Sequence, residues 1–438
     1  MDIEGGRMST RAAEEAIEAT ALGDASAGAQ TVSGRLGALS APSYRRYWLG
    51  SLGSVGASQL ITLGQGWLIV DELGGSPLSL GILGGATAIP TILINLFGGV
   101  LADRVDRRLL LMTTSLISML LLLLLATLDA TGVVQIWHIV AIAACMGLVY
   151  GIDWPTRNAF FPALIEREHM MSAVALNSML WQGTRIVAPA IGGIAIALFG
   201  TAPVFYLCVG GFLAMFAILT TLRVPHVRPE GNRNVIGELT EGVGFISRTR
   251  IFTILILLSY AHMLLGMSYV QLMPLVAKHF DVGSTGLGLL FTTIGLGAIS
   301  GTFVSLRLQG NRRTGRIMLS ALFVATLLIL SFAIAPVYVL ALVFLYLASL
   351  ANSIFQIGSM TALQMRVPDT MRGRVMGIHG ITFSMLPLGG LLGGLIASVT
   401  DVRVAIAMGA IVMTAVVVFI ATTQPEIREL DGDTVPTS

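Results

Sequence analysis

Charge is scarce in this sequence. Asp, Glu, Lys and Arg make up 11% of its 438 residues, where soluble globular chains carry about 25%. The surface of a chain folded in water needs polar groups that this one lacks, which excludes a water-soluble globule. The same composition excludes intrinsic disorder, which requires high charge and low hydrophobicity. Cysteine is nearly absent. Cys145 and Cys208 both lie inside apolar runs, which speaks against a disulfide framework, and two isolated cysteines make no zinc site. Lysine occurs once, at Lys278, beside 25 arginines, a bias that reads as genomic composition. A net charge of +2 and the lack of a basic stripe exclude nucleic acid as a partner. There is no Gly-x-x-x-x-Gly-Lys-Ser/Thr loop and no His-Glu-x-x-His motif, so no cofactor, no metal site and no enzymatic chemistry are expected. The 50 glycines show no triplet period, which excludes collagen-like order. What is abundant is apolar: 55% of residues are hydrophobic and the mean hydropathy is +0.83. This is an integral membrane chain with the lipid bilayer as its main solvent.

A helix needs roughly 20 apolar residues to cross a ~30 Å hydrocarbon core. Twelve such runs occur, at 48–70, 78–101, 109–129, 137–157, 173–199, 202–222, 251–275, 286–308, 317–335, 338–361, 374–399 and 403–423. They are continuous, not alternating, which selects helices over a membrane barrel. The expected fold is all-α, with twelve transmembrane helices. Residues 1–46 hold Glu14, Glu15, Glu18 and several arginines but no apolar core. They are expected to be a disordered cytoplasmic tail and not a signal peptide, with a short surface helix near 11–22. Residues 424–438 are expected to form a second cytoplasmic tail.

On this frame the bases separate. With twelve spans both termini share a side, and 23 of the 26 lysines and arginines fall on it. The opposite side holds only Lys278 and Arg403, and Arg185 lies within a span. Arginine-rich loops stay in the cytoplasm. The chain is therefore expected to be multi-pass in a bacterial cytoplasmic (inner) membrane, with both termini cytoplasmic.

The longest internal polar stretch, 223–250, contains Pro225, Pro229 and Gly231. It reads as a cytoplasmic linker between a six-helix bundle at 47–222 and another at 251–423. Leu80-Gly81-Ile-Leu opens span two and Leu287-Gly288-Leu-Leu opens span eight. Pro189-Ala-Ile-Gly192-Gly193 in span five is matched by Pro387-Leu-Gly-Gly390 in span eleven. Both offsets are close to the length of one half, as a duplication would leave them. Two related bundles around a central site are the architecture of alternating-access transporters.

The loop after span two reads Gly98-Gly99-Val-Leu-Ala-Asp103-Arg104-Val-Asp106-Arg107-Arg108. Gly99 allows close helix approach, Asp103 suits the partly positive N-terminus of span eleven, and the arginines suit acids or anionic headgroups. The second-half counterpart, Asn311-Arg312-Arg313-Thr-Gly-Arg316, keeps bases but lacks the acid. Gly74-Gly-Ser-Pro77-Leu-Ser-Leu-Gly81 enters span two. Asp153-Trp-Pro155-Thr-Arg157-Asn-Ala-Phe-Phe-Pro162 links spans four and five, followed by Ala175-Leu-Asn177-Ser and Arg185-Ile-Val-Ala-Pro189. Val367-Pro368-Asp369-x-x-Arg372-Gly373-Arg374-Val375 links spans ten and eleven.

The first of these loops resembles the signature of the major facilitator superfamily, with Asp106 where glycine is common. Together the segments are similar to the branch of bacterial drug:proton antiporters that includes the enterobactin exporter and macrolide-efflux-type proteins, over about 40–425. The resemblance implies two pseudo-symmetric six-helix bundles and export of a small molecule driven by proton entry. It also implies a conformational latch of Gly99, Asp103, Arg104, Arg107 and Arg108 that holds the cytoplasmic side shut; a plain positive-inside loop is the alternative. Two departures stand out. Span four, His138-Ile-Val-Ala-Ile-Ala-Ala-Cys-Met-Gly-Leu, lacks the mid-membrane arginine of many proton-driven drug antiporters. Their Gly-Pro-x-x-Gly-Gly becomes Ala188-Pro189-Ala-Ile-Gly192-Gly193.

Ionisable groups at membrane depth are costly and point to function. Arg185 lies twelve residues into span five, about 18 Å along the helix and near the midplane. It either binds an anionic group of a substrate or pairs with a neighbouring helix. Asp153 and Arg157 share a helical face at the cytoplasmic end of span four, with Pro155 between them expected to bend or end the helix. They suit a gate, so they join the latch; a local salt bridge is the alternative. His262, in mid-span seven, can titrate near neutral pH or serve as a structural donor, and His379 is read the same way. Gln59, Gln65 and Trp67 in span one, and Tyr269 and Gln271 in span seven, join Arg185 and His262 as candidate substrate contacts; helix-to-helix bonding is their alternative. Proton coupling has two candidate carriers, His262 and Asp153.

The expected function is secondary active export of a small amphipathic molecule, a drug or siderophore-like metabolite, by alternating access. The implied partners are that substrate, a proton gradient and the bilayer, with the chain working as a monomer. Uptake of a polar nutrient is the alternative, and a non-transporting membrane sensor or assembly protein is the alternative of another class.

Overall fold

The computed structural model describes residues 37–222, 235–308 and 313–430, and within them not the side chains of 96–104, 235–236 and 238–239. All regular structure among these residues is helical, as expected where no water bonds an open backbone. The first half comprises α1 (Pro42–Trp67), α2 (Pro77–Arg104), α3 (Arg107–Ala130), α4 (Ile136–Phe160), α5 (Met170–Phe199) and α6 (Thr201–Thr221). A linker helix α7 (Val235–Arg248) follows. Span seven is α8 (Arg250–Ala261), a π-helical turn (His262–Gly266), a 3-10 stretch (Ser268–Leu272) and α9 (Met273–His279). Then come α10 (Gly283–Leu308), α11 (Thr314–Ala333) and α12 (Tyr338–Arg366). Span eleven is α13 (Asp369–Gly380), a 3-10 stretch (Ile381–Ser384) and α14 (Met385–Val399). The last elements are α15 (Val402–Thr423) and a short α16 (Pro425–Arg428).

Among the described residues eleven spans are long and apolar enough to cross a membrane. Helix α1 makes the twelfth long helix. It is the least apolar because it carries Gly50, Ser51, Gly53, Ser54, Gly56, Ser58, Gln59, Gly64, Gln65 and Gly66, and it packs closely between α5 and α6. Gly53 and Gly211 meet there backbone to backbone, a Cβ on Gly211 falling 2.6 Å from the Gly53 carbonyl oxygen. Small residues are what such helix contacts in lipid require.

The fold begins earlier than the apolar pattern suggests. Residues 37–46, placed with the disordered tail, are ordered. Pro42 opens α1 at a position where no N–H is missed. The Ala38 amide donates to Ser172 Oγ (3.3 Å), the Tyr44 hydroxyl to the Ala173 carbonyl (3.0 Å) and Trp48 Nε1 to the Leu176 carbonyl (3.1 Å), tying this entry segment to α5. The helix suggested near 11–22 lies outside the described residues. Pro155 does not end α4, which runs on to Phe160.

Helices α1–α6 pack chiefly on one another, as do α8–α15, and the two sets meet along α5–α10 and α2–α14. These seams are built from the matched segments. A Cβ on Gly288 would lie 2.4 Å from the Pro189 carbonyl oxygen, and a Cβ on Gly84 would lie 2.4 Å from that of Pro387. Gly193 abuts Gly288, and Gly81 abuts Gly394, backbone to backbone. Ser284 Oγ donates to the Gly193 carbonyl (3.0 Å) and Thr292 Oγ1 to that of Ile186 (3.0 Å). Each Leu-Gly segment thus meets the Pro-Gly segment of the other half, in two pseudo-symmetric pairs. Both lie at the end of the molecule away from the arginine-rich loops. Toward the basic end, Gly183 in α5, and Gly377 and Gly380 in span eleven, have open space where a side chain would stand.

Candidate functional site

Arg185 sits on α5 beside the α5–α10 seam, where its own carbonyl and Ile186 approach Gly295. The seam glycine lets the helices close without a side chain between them, and leaves the guanidinium on the face between the halves. Arg185 is half-buried, close enough to Tyr269 to interact electrostatically, and has no hydrogen-bond or ion-pair partner among the described residues. The pairing alternative for Arg185 therefore finds no support in this conformation. A guanidinium presents five donors in a planar fork that suits a carboxylate or another oxyanion. Tyr269 is buried, its hydroxyl set against Met267 Sδ at 3.6 Å, and Asn352 Nδ2 donates to the same sulfur at 3.4 Å. Tyr269 and Asn352 thus form a polar group near Arg185; no motif in the sequence points to Asn352.

The other candidates in spans one and seven divide. Gln65 is buried and its Nε2 has no partner. Gln59 is half-buried on the same helix. Trp67 is packed in the main hydrophobic core. The side-chain stem of Gln271 fits against Gly84 of α2 and Gly390 of α14, inside the closed seam, as its helix-to-helix alternative describes. Lys278 Nζ, in α9, donates to the Val70 carbonyl at the end of span one (3.0 Å), a further link between the halves at the closed end.

His262 and His379 come together. Both line one cavity of about 260 Å³ between spans seven, ten and eleven, with Phe355, Gln356 and Phe383 among its walls. His262 is 1% exposed and neither ring nitrogen has a partner; Nδ1 of the buried His379 has none either. The rings stand 117 residues apart in sequence, and nothing in the local pattern joins them.

At the basic end Arg157 and Asp153 form an ion pair through Nε and Oδ2, and the Thr114 hydroxyl donates to Asp153 Oδ1 at 2.8 Å. The acid thus ties α4 to α3 in the first half. Arg107 Nη1 donates to the Ala159 carbonyl (3.1 Å), and Arg108 donates through Nε and Nη2 to the Leu219 and Thr220 carbonyls (2.7 Å each). Basic groups at helix C-termini satisfy carbonyls that have no intrahelical donor and complement the helix dipole. Arg107 and Arg108 thus bond the ends of α4 and α6 within their own half in this conformation. Asp106, the departure from the family pattern, is the N-cap of α3, accepting from the amides of Arg108 (2.8 Å) and Leu109 (3.3 Å). Helix α2 runs through Gly99, Asp103 and Arg104, whose side chains lie outside the described residues. Across the linker, Arg374 of α13 pairs with Glu241 of α7 at 3.1 Å.

Comparison with known proteins follows this geometry. The model of the transmembrane secretion effector family matches residues 33–437. The enterobactin exporter EntS of Salmonella typhimurium is 29% identical over 336 residues, covering 76% of this chain and 80% of that protein. The protein of the same name from Escherichia coli O1:K1 is 28% identical, covering 76% and 79%. Among solved structures, the peptide transporter POT in complex with sulfate superposes with a TM-score of 0.70 at 12% identity, covering 89% of this chain and 96% of that one. The D-xylose–proton symporter does so with a TM-score of 0.66 at 14% identity, covering 89% and 98%. These two show the fold alone. With its twelve long helices and its seams of matched segments, the chain belongs to the transmembrane secretion effector family within the major facilitator superfamily.

Proposed function

We propose that this transporter exports a small amphipathic molecule with an anionic group, by alternating access and coupled to proton entry, as a monomer in a bacterial inner membrane. The observation that carries the reading is Arg185, which has no hydrogen-bond or ion-pair partner among the described residues and stands between two bundles that close tightly at one end and leave open space at Gly183, Gly377 and Gly380 toward the other. The positive-inside rule makes the arginine-rich end cytoplasmic, with both termini there. In that orientation the described conformation is inward-facing and ready to receive a cargo from the cytoplasm. The family description and the relatives named as exporters support the outward direction; fold neighbours include a symporter, so the fold itself carries no direction. Gly99, Asp103 and Arg104 remain the proposed cytoplasmic latch. For the proton, His262 is favoured over Asp153, because Asp153 is already engaged by Arg157 and Thr114.

The test compares intracellular and medium metabolites in deletion and overexpressing strains. The cargo is expected to rise inside the deletion strain, to fall inside the overexpressor, and to stay inside when a protonophore is added. Arg185→Gln is expected to reproduce the deletion at normal protein levels. Accumulation in cells that is lost on deletion would show uptake and overturn the reading.

A further inference from the structure

We propose that the cavity between spans seven, ten and eleven binds an uncharged aromatic group bearing hydroxyl or amine hydrogen-bond donors. This names a substrate class for the transporter proposed above and rests on that reading only for the carriage that follows binding.

Three features define the occupant. The first is size. The cavity holds about 260 Å³, and an apolar cavity of about 150 Å³ already accepts benzene, so one substituted ring fits. The second is the wall. Phe355, Phe383, Met263 and Met360 supply aromatic and thioether surface, the kind that adapts to a flat ring. Phe355 stands edge-on to His262 with centroids 4.9 Å apart and planes at 71°. Phe383 is exposed and marks the rim, while His262 is the buried floor. The third is the polar content. Buried donors and acceptors are nearly always paired, yet three imidazole nitrogens here are not. An imidazole can offer both a donor and an acceptor nitrogen. Gln356 adds both kinds, and the Ser259 and Ser359 hydroxyls sit 3.2 Å apart at the wall.

Each feature excludes a competitor. An aliphatic guest would fill the space and leave the nitrogens unpaired. An ion would lose its hydration with nothing in return, since Asp, Glu, Lys and Arg are missing from the lining. The backbone prepares the site as well. His262 opens the π-helical turn of span seven, and His379 precedes the 3-10 stretch of span eleven by two residues. Gly266, one turn beyond His262, leaves room for the ring: a Cβ there would lie 2.9 Å from His262 Nδ1. The site lies within the second half, apart from Arg185 on α5, so a cargo with a ring and an anionic group can engage both halves.

The full chain, labelled with ¹⁵N-histidine and purified in detergent, tests this with 4-hydroxybenzamide as probe. Of the signals from its six histidines, those of His262 and His379 are expected to shift saturably. Benzamide, lacking the hydroxyl, is expected to bind at least fivefold more weakly, and the 4-hydroxybenzoate anion at least tenfold. His262→Phe and His379→Gln should each weaken the probe at least tenfold; the wild-type shifts need no variant and stand if either substitution fails to fold. Unshifted signals of both histidines, or equal binding of benzamide and 4-hydroxybenzamide, would overturn the site. Lost transport with retained shifts would instead overturn the transport reading and leave the site in place.

Discussion

Gly288→Ala tests the seam that seals the end away from the arginine-rich loops. The added Cβ would lie 2.4 Å from the Pro189 carbonyl oxygen and 3.1 Å from the Gly193 Cα, where ordinary contact starts at 3.4 Å. Both neighbours are backbone, so neither can rotate away, and the seam must widen by about 1 Å. Overpacking of this kind costs about 1–3 kcal/mol, and the cost applies only where the seam is closed. At about 1.4 kcal/mol per factor of ten, 2 kcal/mol moves the closed-to-open ratio at that end roughly thirtyfold. Gly84→Ala should act equally at the second seam, since its clash with Pro387 has the same length. The assay is electron–electron distance measurement between spin labels at Val133 and Val337, exposed sites in loops of the two halves at that same end. Cys145 is exposed and would be replaced by alanine first; Cys208 is buried. The distance distribution should gain a longer component in either variant and more of it in the double. An unchanged distribution in a variant of normal stability would refute the close packing of the seam.

Two further outcomes follow from the basic end. Asp106→Ala removes the N-cap of α3 and should cost about 1 kcal/mol, read as a lower unfolding temperature in detergent; an unchanged value would show that the cap does not contribute. Arg157→Met leaves the half-buried Asp153 without its base, a loss of at most about 3–5 kcal/mol, whereas the double change Asp153→Asn and Arg157→Met should recover much of it; equal loss in both would show that the pair has no coupling.

Much of the architecture is legible in the amino-acid sequence, because lipid forces long apolar helices and arginine marks one side. Arg185 stands out for the same reason, as a base where none is tolerated without cause. The matched Leu-Gly and Pro-Gly segments visibly repeat. That each Leu-Gly segment meets the Pro-Gly segment of the other half is not legible, since contact depends on how the halves are apposed. The roles of Arg107 and Arg108 are hidden because the carbonyls they bond lie on α4 and α6, 52 to 112 positions away. Residues 37–46 look like tail because their burial comes from a few scattered residues, Ala38 and Tyr44, packed with Phe160, Met215 and Leu219, and not from an apolar run. The shared cavity of His262 and His379 depends on changes of helical pitch that no local preference announces.

One contact also makes the molecule its own reporter. Lys278 carries the only side-chain amine in the chain, and that amine is tied to the Val70 carbonyl at the end where the two halves are closed. An amine-selective reagent therefore has a single side-chain target, positioned on the moving joint itself. Its rate of labelling in native protein, with no residue replaced, is a direct clock for how often the two halves come apart on that side.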